Sequence, residues 1–164
     1  MTSAKPRTAR DYFTPTGRAL EWITRLHRRL YRATGGLLGS VVVQRREAGD
    51  RLPLRLMRIL LLTTTGRKSG LARTVPLPYF TFDGRVFVVA SFAGGDKHPA
   101  WFLNLGATPE VEVQIGRRRQ AARAVELTGA ERDRYWSKLI AGWPRYDVYQ
   151  RGTPRMIPLV EIVL

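Results

Sequence analysis

The chain contains no cysteine and only two histidines, His27 and His98. The first absence removes disulfides, thiolate nucleophiles and cysteine-ligated zinc or iron–sulfur sites together. The second leaves too few imidazoles for a multi-histidine metal centre. Carboxylates are scarce as well: 13 Asp+Glu stand against 28 Lys+Arg, a formal net charge of +15. There is no GxSxG elbow, no Ser/His/Asp order and no pair of carboxylates on one face, so hydrolytic chemistry has little to work with. No run of about 18 uncharged apolar residues occurs, which excludes a spanning helix. The basic start MTSAKPRTARDYF leads into no apolar stretch, so no secretory signal is expected. A cytoplasmic, reducing environment is the expectation, and any redox reactivity has to come from a cofactor.

What is present is enough for one domain. The 164 residues are 44% hydrophobic and 10% aromatic, which supports a sizeable core and argues against global disorder. The positive charge speaks of partners rather than fold. It favours nucleic acid, an acidic membrane surface or a phosphorylated or polycarboxylate small molecule.

Two parts differ in style. Residues 1–34 read as a basic arm and an amphipathic helix. Pro6 and Pro15 break the arm, and Thr16 is placed to cap a helix from about Gly17 to Ala33. Leu20, Ile23, Leu26 and Leu30 recur at helical spacing, Arg18, Arg25, Arg28, Arg29 and Arg32 fill the remainder, and Gly35–Gly36 supplies a stop. Residues 35–164 read as mainly β with peripheral helices, an α+β chain arranged as a small barrel of six or seven strands. The strands are expected at Leu37–Gln44, Leu54–Thr65, Arg73–Phe82, Arg85–Ser91, Glu110–Ile115, Gln120–Leu127 and Met156–Leu164, with a charged loop RREAGDR after the first. Pro76 and Pro78 put the third of these at an edge, a bulge or a ligand. Asp83–Gly84 is a strong hairpin signal. Pro99 is a good first residue for a short helix, Thr128 and Glu131 form a capping-box pattern for another, and Trp143–Pro154 reads as an aromatic loop.

Three segments carry candidate chemistry. Gly66-Arg67-Lys68-Ser69-Gly70 follows a buried-looking strand. Its glycines allow a tight turn with amide N–H groups free to face an anion, and its cations and hydroxyl suit a phosphate. It lacks the Walker A spacing, and a solvated basic hairpin tip is the equal alternative. Lys97-His98-Pro99-Ala100-Trp101 joins a glycine-rich loop to a helix start. There His98 is read as a structural hydrogen-bonding residue ahead of an acid/base one. Trp101 and Asn104 share a face of that helix, with Trp101 either core or stacking platform. Trp143, Tyr146 and Tyr149 recur at spacing three, as a pocket wall or as a hydrophobic plug.

Four strings occur in order: LLLTTTGRKSGLARTVPLPY, VVASFAGGDKHPAWFLNL, VEVQIG and YDVYQRGTPRMIPLV. From about Ile59 to the C-terminus they resemble the deazaflavin (coenzyme F-420)-dependent nitroreductase and quinone reductase family of actinobacteria. The resemblance implies a split β-barrel of the FMN-binding-protein type and coenzyme F-420 as cofactor. By resemblance Arg67, Lys68 and Ser69 hold the coenzyme phosphate, and Arg73, Thr74, Val75, Pro76, Leu77 and Pro78 continue the cradle. Val89, Ala90, Ser91 and Phe92, with Ala100, Trp101, Phe102, Leu103 and Asn104, border the deazaflavin ring. Tyr146 and Tyr149 close over it and orient or protonate the acceptor, and Ser91 sits near the hydride-accepting site. Trp143 stands where the best-known members have a further tyrosine, and Phe92 where some carry a basic residue. Both departures reshape the acceptor side and bear on nitroimidazole turnover.

The implied reaction is hydride transfer from reduced F-420 to a planar electrophile, a quinone first, a nitroaromatic or enone second. Residues 17–33 then suit an anionic membrane surface, either as an interfacial anchor or packed on the barrel. Two other readings remain: a non-catalytic carrier of F-420 or a fatty acid, and a basic nucleic-acid-binding module. The second lacks any helix-turn-helix, RNP-like or zinc motif, so no nucleic acid is expected.

Overall fold

A computed structural model of the protein describes residues 26, 28–31, 33, 34, 41–44 and 55–164. The expected arm at 1–17, the first turns of the N-terminal helix, its stop at Gly35–Gly36 and the charged loop after Gln44 lie outside the described residues. Seven strands are present: β1 (Val41–Gln44), β2 (Arg55–Thr65), β3 (Ala72–Phe82), β4 (Arg85–Val89), β5 (Glu110–Ile115), β6 (Arg118–Glu126) and β7 (Leu159–Val163). Among the described residues, helical residues at 26, 28–31 and 33 and the complete helices α1 (Ala100–Leu105), α2 (Gly129–Gly142) and α3 (Arg145–Arg151) accompany them, with a 3-10 turn at Phe92–Gly94.

All neighbouring strands are antiparallel, in the order β1-β2-β3-β4-β7-β6-β5. A further pairing of β5 with β2, through Leu61–Gln114, Leu62–Val113 and Thr63–Glu112, closes β2 to β7 into a six-stranded barrel. The outer strand β1 pairs with the first residues of β2, where β2 has left the barrel.

Burial explains the run ILLLTTT in β2. Leu60 and Leu62 point into the barrel interior, beside Val86, Val88, Trp101, Val113, Val160 and Ile162. Ile59 and Leu61 point outward, where Tyr31 covers them. A strand covered on both faces reads as a continuous apolar stretch rather than an alternating one. The Tyr31 hydroxyl donates to the Ile59 carbonyl at 3.0 Å and accepts from the Gly116 amide at 2.9 Å. The described part of the N-terminal helix is therefore docked on the barrel.

Period two places the alternate residues of β4 and β7 on the barrel's outside. There Phe87, Val89 and Leu159 join Phe80, Tyr135, Trp136, Leu139, Tyr146 and Ile157 in a second core beneath α2 and α3. Asp83 and Gly84 have φ of 52° and 76°, as a tight two-residue hairpin between β3 and β4 requires. Pro76 and Pro78 pair with Leu61 and Ile59 of β2, while β4 reaches only residues 79–82 of β3. The prolines thus lie in the half of β3 that has β2 as its one neighbouring strand among the described residues, which leaves an edge where the missing N–H donors are accommodated.

Three expectations are corrected. Trp143–Pro154 is largely helical, as α3, rather than a loop. Pro99 is the N-cap of α1, one residue before the helix, with Phe102 and Leu103 donating to its carbonyl. Thr128 sits at the N-cap of α2 but makes no side-chain cap. Gly129 enters the helix at φ +54°, and Glu131 is drawn instead to Arg85, whose Nη1 donates to it at 2.7 Å. The same guanidinium also pairs with Glu161 and reaches Tyr135, so that Glu131 ties α2 to β4 and β7.

Candidate coenzyme and hydride-transfer site

The Gly66–Gly70 turn closes the hairpin between β2 and β3. Its own atoms engage three of its amides: Ser69 and Gly70 donate to the Gly66 carbonyl, and Gly66 donates to the Leu71 carbonyl. The Arg67 amide donates to Asn104 Oδ1 at 3.2 Å, and Leu71 to Ser69 Oγ at 3.4 Å. Most amides of this tight turn are therefore engaged, three within the turn or with Leu71 and that of Arg67 by Asn104, while among the described residues no bond uses the Lys68 amide. Space confirms the tightness: a Cβ on Gly66 would lie 2.8 Å from Ser69 Oγ. What the turn presents is side chains. Arg67, Lys68, Ser69 and Arg73 are exposed, and residues 55–82 contain no carboxylate. Among the described residues no ion pair involves Arg67, Lys68 or Arg73.

Asn104 locks this turn to α1. It is buried; its Nδ2 donates to Thr64 Oγ1 at 3.0 Å, and its Oδ1 accepts from both the Arg67 amide and, at 3.5 Å, the Arg67 guanidinium. Trp101, on the same face, is 6% exposed and packs in the barrel interior, which resolves its reading as core. Ala100 and Leu103 are exposed and Phe102 half-buried. On β3 the hydroxyls of Thr63 and Thr74 lie 2.9 Å apart, Val75 to Pro78 are half-buried, and Arg28 donates to the Thr74 carbonyl at 2.9 Å. Arg28, one of the arginines that fill the remaining circumference of the expected N-terminal helix, thus reaches the barrel.

After Val89 and Ala90, both buried, the chain leaves the barrel at the half-buried Ser91. Phe92 and Ala93 then adopt φ of 47° and 52°, ahead of Gly94 at 79°. Left-handed backbone costs a non-glycine residue about 1 kcal/mol or more, so a surrounding structure must impose it. One neighbour is α3: a Cβ on Gly94 would lie 3.3 Å from the Tyr149 backbone. The rings of Tyr146 and Tyr149 meet edge-on at 5.8 Å, and Phe80 lies edge-on to both Tyr146 and Trp143. Tyr146 and Tyr149 thus share one side of α3, and Trp143, at the end of α2, joins them through Phe80, an arrangement that serves as wall or plug. Tyr146 is 7% exposed, and burial pushes its phenol far above the ordinary range, so it remains an O–H donor at any ordinary pH.

His98 bridges the two halves. Its ring lies 5.0 Å from Phe102 of α1, and its Nδ1 is 3.3 Å from Arg155 Nη1, an arrangement that takes Nδ1 as acceptor and the imidazole as neutral. Burial and then the Arg155 charge lower its pKa. The structural reading of His98 accordingly has a named partner. Arg155 and Gln150 went unnoticed at the sequence level, since nothing in TPRMIP distinguishes one more arginine in so basic a chain.

The profile of the F420H(2)-dependent quinone reductase family matches residues 23–163. The chain belongs to that family. It is 34% identical over 144 residues to an F420H(2)-dependent quinone reductase of Mycobacterium tuberculosis, covering 85% of this chain and 89% of that one. A second, putative F420H(2)-dependent quinone reductase of the same organism is 38% identical over 113 residues, 69% of this chain and 92% of its own. Among solved structures, an F420-H2 dependent reductase is similar at 42% identity and a TM-score of 0.57, covering 63% of this chain and 92% of that one. Another, described as a domain-swapped dimer, has 34% identity, a TM-score of 0.59 and covers 88% and 98%.

As a member of this F-420-dependent reductase family the protein has the split-barrel fold expected, and F-420 is its coenzyme. The residues present fit that group. F-420 carries a phosphodiester and a glutamate tail, and the carboxylate-free cations around the β2–β3 turn are the donor set an acidic ligand needs.

Proposed function

We propose that the protein reduces a quinone with a hydride from F-420H2, with nitroaromatics and enones as poorer acceptors. The observation that supports this most is the cation group Arg67, Lys68 and Arg73, without an ion pair among the described residues and joined through Asn104 to α1 and so to the loop and helix that carry Ser91, Tyr146 and Tyr149. Arg67 and Lys68, with Ser69, hold the phosphate; a hydroxyl that accepts from Leu71 still has its own proton to donate. Arg73 to Pro78 continue that cradle. Val89 to Phe92 and Ala100 to Asn104 border the ring, with Trp101 and Asn104 supporting it from the protein side.

Bound F-420H2 supplies the hydride. The chain's own contribution is orientation, exclusion of water and stabilisation of charge. As a quinone oxygen gains negative charge, the Tyr146 hydroxyl, kept protonated by burial, donates a hydrogen bond to it. The proton that completes the quinol is drawn from solvent, directly or through this hydroxyl. Tyr149 and Ser91 offer further hydroxyls, and the exposed Phe92 ring makes the acceptor side apolar.

We also propose that residues 1–34, a basic arm and amphipathic helix, bring a cytoplasmic enzyme to an anionic membrane surface, where lipid quinones reside. Tyr31 and Arg28 are used in docking on the barrel, but Leu26 and Leu30, one turn apart, are each 42% exposed, and Arg29 is exposed beside them. Among the described residues no helix is long and apolar enough to cross a membrane. Flotation with anionic liposomes, for the full chain and for residues 35–164, tests this; equal partitioning contradicts it.

The coenzyme reading is tested by titrating purified protein with oxidised F-420, F-420H2 and FMN. Binding of F-420 that FMN does not displace is expected. No F-420 binding, or a preference for FMN, overturns the proposal.

A further inference from the structure

The connection between α3 and β7, residues 152–158, has no part in the chemistry above, yet it delivers a guanidinium into the centre of the site loop. Arg155 Nε donates to the Gly95 carbonyl at 2.8 Å, and Nη2 donates to the Ser91 and Ala90 carbonyls at 2.7 and 3.1 Å. Nη1 faces His98 Nδ1. One fork thus gathers both ends of the loop around the left-handed Phe92–Ala93–Gly94 turn. Within the turn only two backbone bonds help, Gly94 to Ser91 and Gly95 to Phe92.

Arg155 is itself fixed from α3. Gln150 Nε2 donates to the Arg155 carbonyl at 2.8 Å, and Gln150 Oε1 accepts from the Ile157 amide at 2.8 Å. The helix that carries Tyr146 and Tyr149 therefore also aims the side chain that shapes the loop carrying Ser91 and Phe92. The two sides of the site are set against each other by one residue.

We propose that Arg155 is a positioning residue for hydride transfer. Through the carbonyls of Ala90, Ser91 and Gly95 it holds Ser91 and Phe92 in register with the α3 tyrosines, and so determines how an acceptor is seated. This rests on the coenzyme reading above. A lysine cannot take its place, because a single ammonium on a flexible stem does not span three carbonyls as the planar fork does.

The test compares R155A and R155K with the parent protein. Limited trypsin digestion without coenzyme follows the fragment ending at Lys97, an exposed residue in the held loop. Cleavage there is expected to be about tenfold faster in both variants, with melting temperature lowered by only a few degrees. With F-420H2 and menadione, kcat should fall and the menadione KM rise, about tenfold or more in kcat/KM. The Kd for F-420 should stay within about twofold, since Arg67 and Lys68 hold the phosphate elsewhere. Parent-like proteolysis and kinetics in R155A would overturn the proposal, as would full recovery in R155K. So would loss of the fold in both variants, which would make Arg155 a residue of stability alone. Failure of the unsubstituted protein to bind F-420 would instead overturn the coenzyme reading, and the proteolysis would still report on the clamp.

Discussion

The turn at Gly66–Gly70 and the loop at Ala90–His98 both follow a buried strand and both depend on glycine, yet they are built on opposite plans. The turn satisfies most of its own backbone: Gly66, Ser69 and Gly70 bond locally, only the Arg67 amide reaches a distant partner, Asn104, and its charged side chains are left facing solvent. The loop leaves its carbonyls to a distant guanidinium and takes a backbone shape that phenylalanine and alanine resist. A self-contained turn is a fixed platform for charge. A loop held from outside can be tuned, or lost, by changes elsewhere. In the proposed reaction this division puts the coenzyme contact on the turn and the acceptor contact on the dependent loop.

The largest expected effect breaks the platform's only offering. R67A/K68A should weaken F-420 binding about a hundredfold, since charge-assisted hydrogen bonds contribute roughly 1.5–3 kcal/mol each and the pair is not fully additive. Its melting temperature should hardly change, because both side chains are exposed. Titration and a thermal melt check both. If affinity survives, the turn is a solvated hairpin tip.

Y146F is the matching experiment on the other side. Removing one hydroxyl that stabilises developing charge should lower kcat for menadione about tenfold or more, with F-420 affinity nearly unchanged. Steady-state kinetics with a direct binding measurement separates the two. An affinity loss without a kcat loss would move Tyr146 into the coenzyme cradle.

N104A strikes the bridge between turn and α1. It leaves the Thr64 hydroxyl and Arg67 amide without their partner in a buried place, at a cost of about 1–3 kcal/mol. Denaturant unfolding should show that loss together with weaker coenzyme binding, because Arg67 loses its anchor.

The smallest effect is in pH. His98 faces Arg155, with Glu126 acting weakly in the opposite sense and Asp96 near Arg155. Burial and the Arg155 charge lower its pKa below the ordinary 6.5. The folded state therefore binds a proton less readily than the unfolded chain. This contribution to stability is complete above about pH 6.5 and is lost as pH falls from there through the depressed folded value. H98N should flatten that stretch of the stability–pH curve, and an unchanged curve would remove His98 from the bridge.

Much of the fold was legible because period-two patterning, Asp83–Gly84 and the prolines each reflect a local backbone demand. Strand β2 was legible for a less local reason: covering by Tyr31 on one face and the barrel on the other removes alternation and leaves an apolar run. The failures share a cause. Thr128 and Glu131 have the right spacing for a capping box, but Arg85 comes from another strand and takes the carboxylate. The Gly66–Gly70 amides look free until Asn104, far along the chain, is folded against them. Arg155 was invisible because its importance lies in three carbonyls, which carry no sequence signature. The motif-bearing residues 67–69, 100–104 and 146–149 were recognisable, while the residues that hold them in place were not.

The central claim is that this barrel passes hydride from F-420H2 to a quinone, and an anaerobic single turnover measures it directly. Enzyme, one equivalent of F-420H2 and excess menadione are mixed, and coenzyme oxidation is followed beside quinol formation. The account predicts one quinol per coenzyme oxidised, slowed when the C5 hydrogen of the coenzyme is replaced by deuterium and slowed again in Y146F. Coenzyme oxidation no faster than without protein, or equal turnover with reduced FMN, would contradict it.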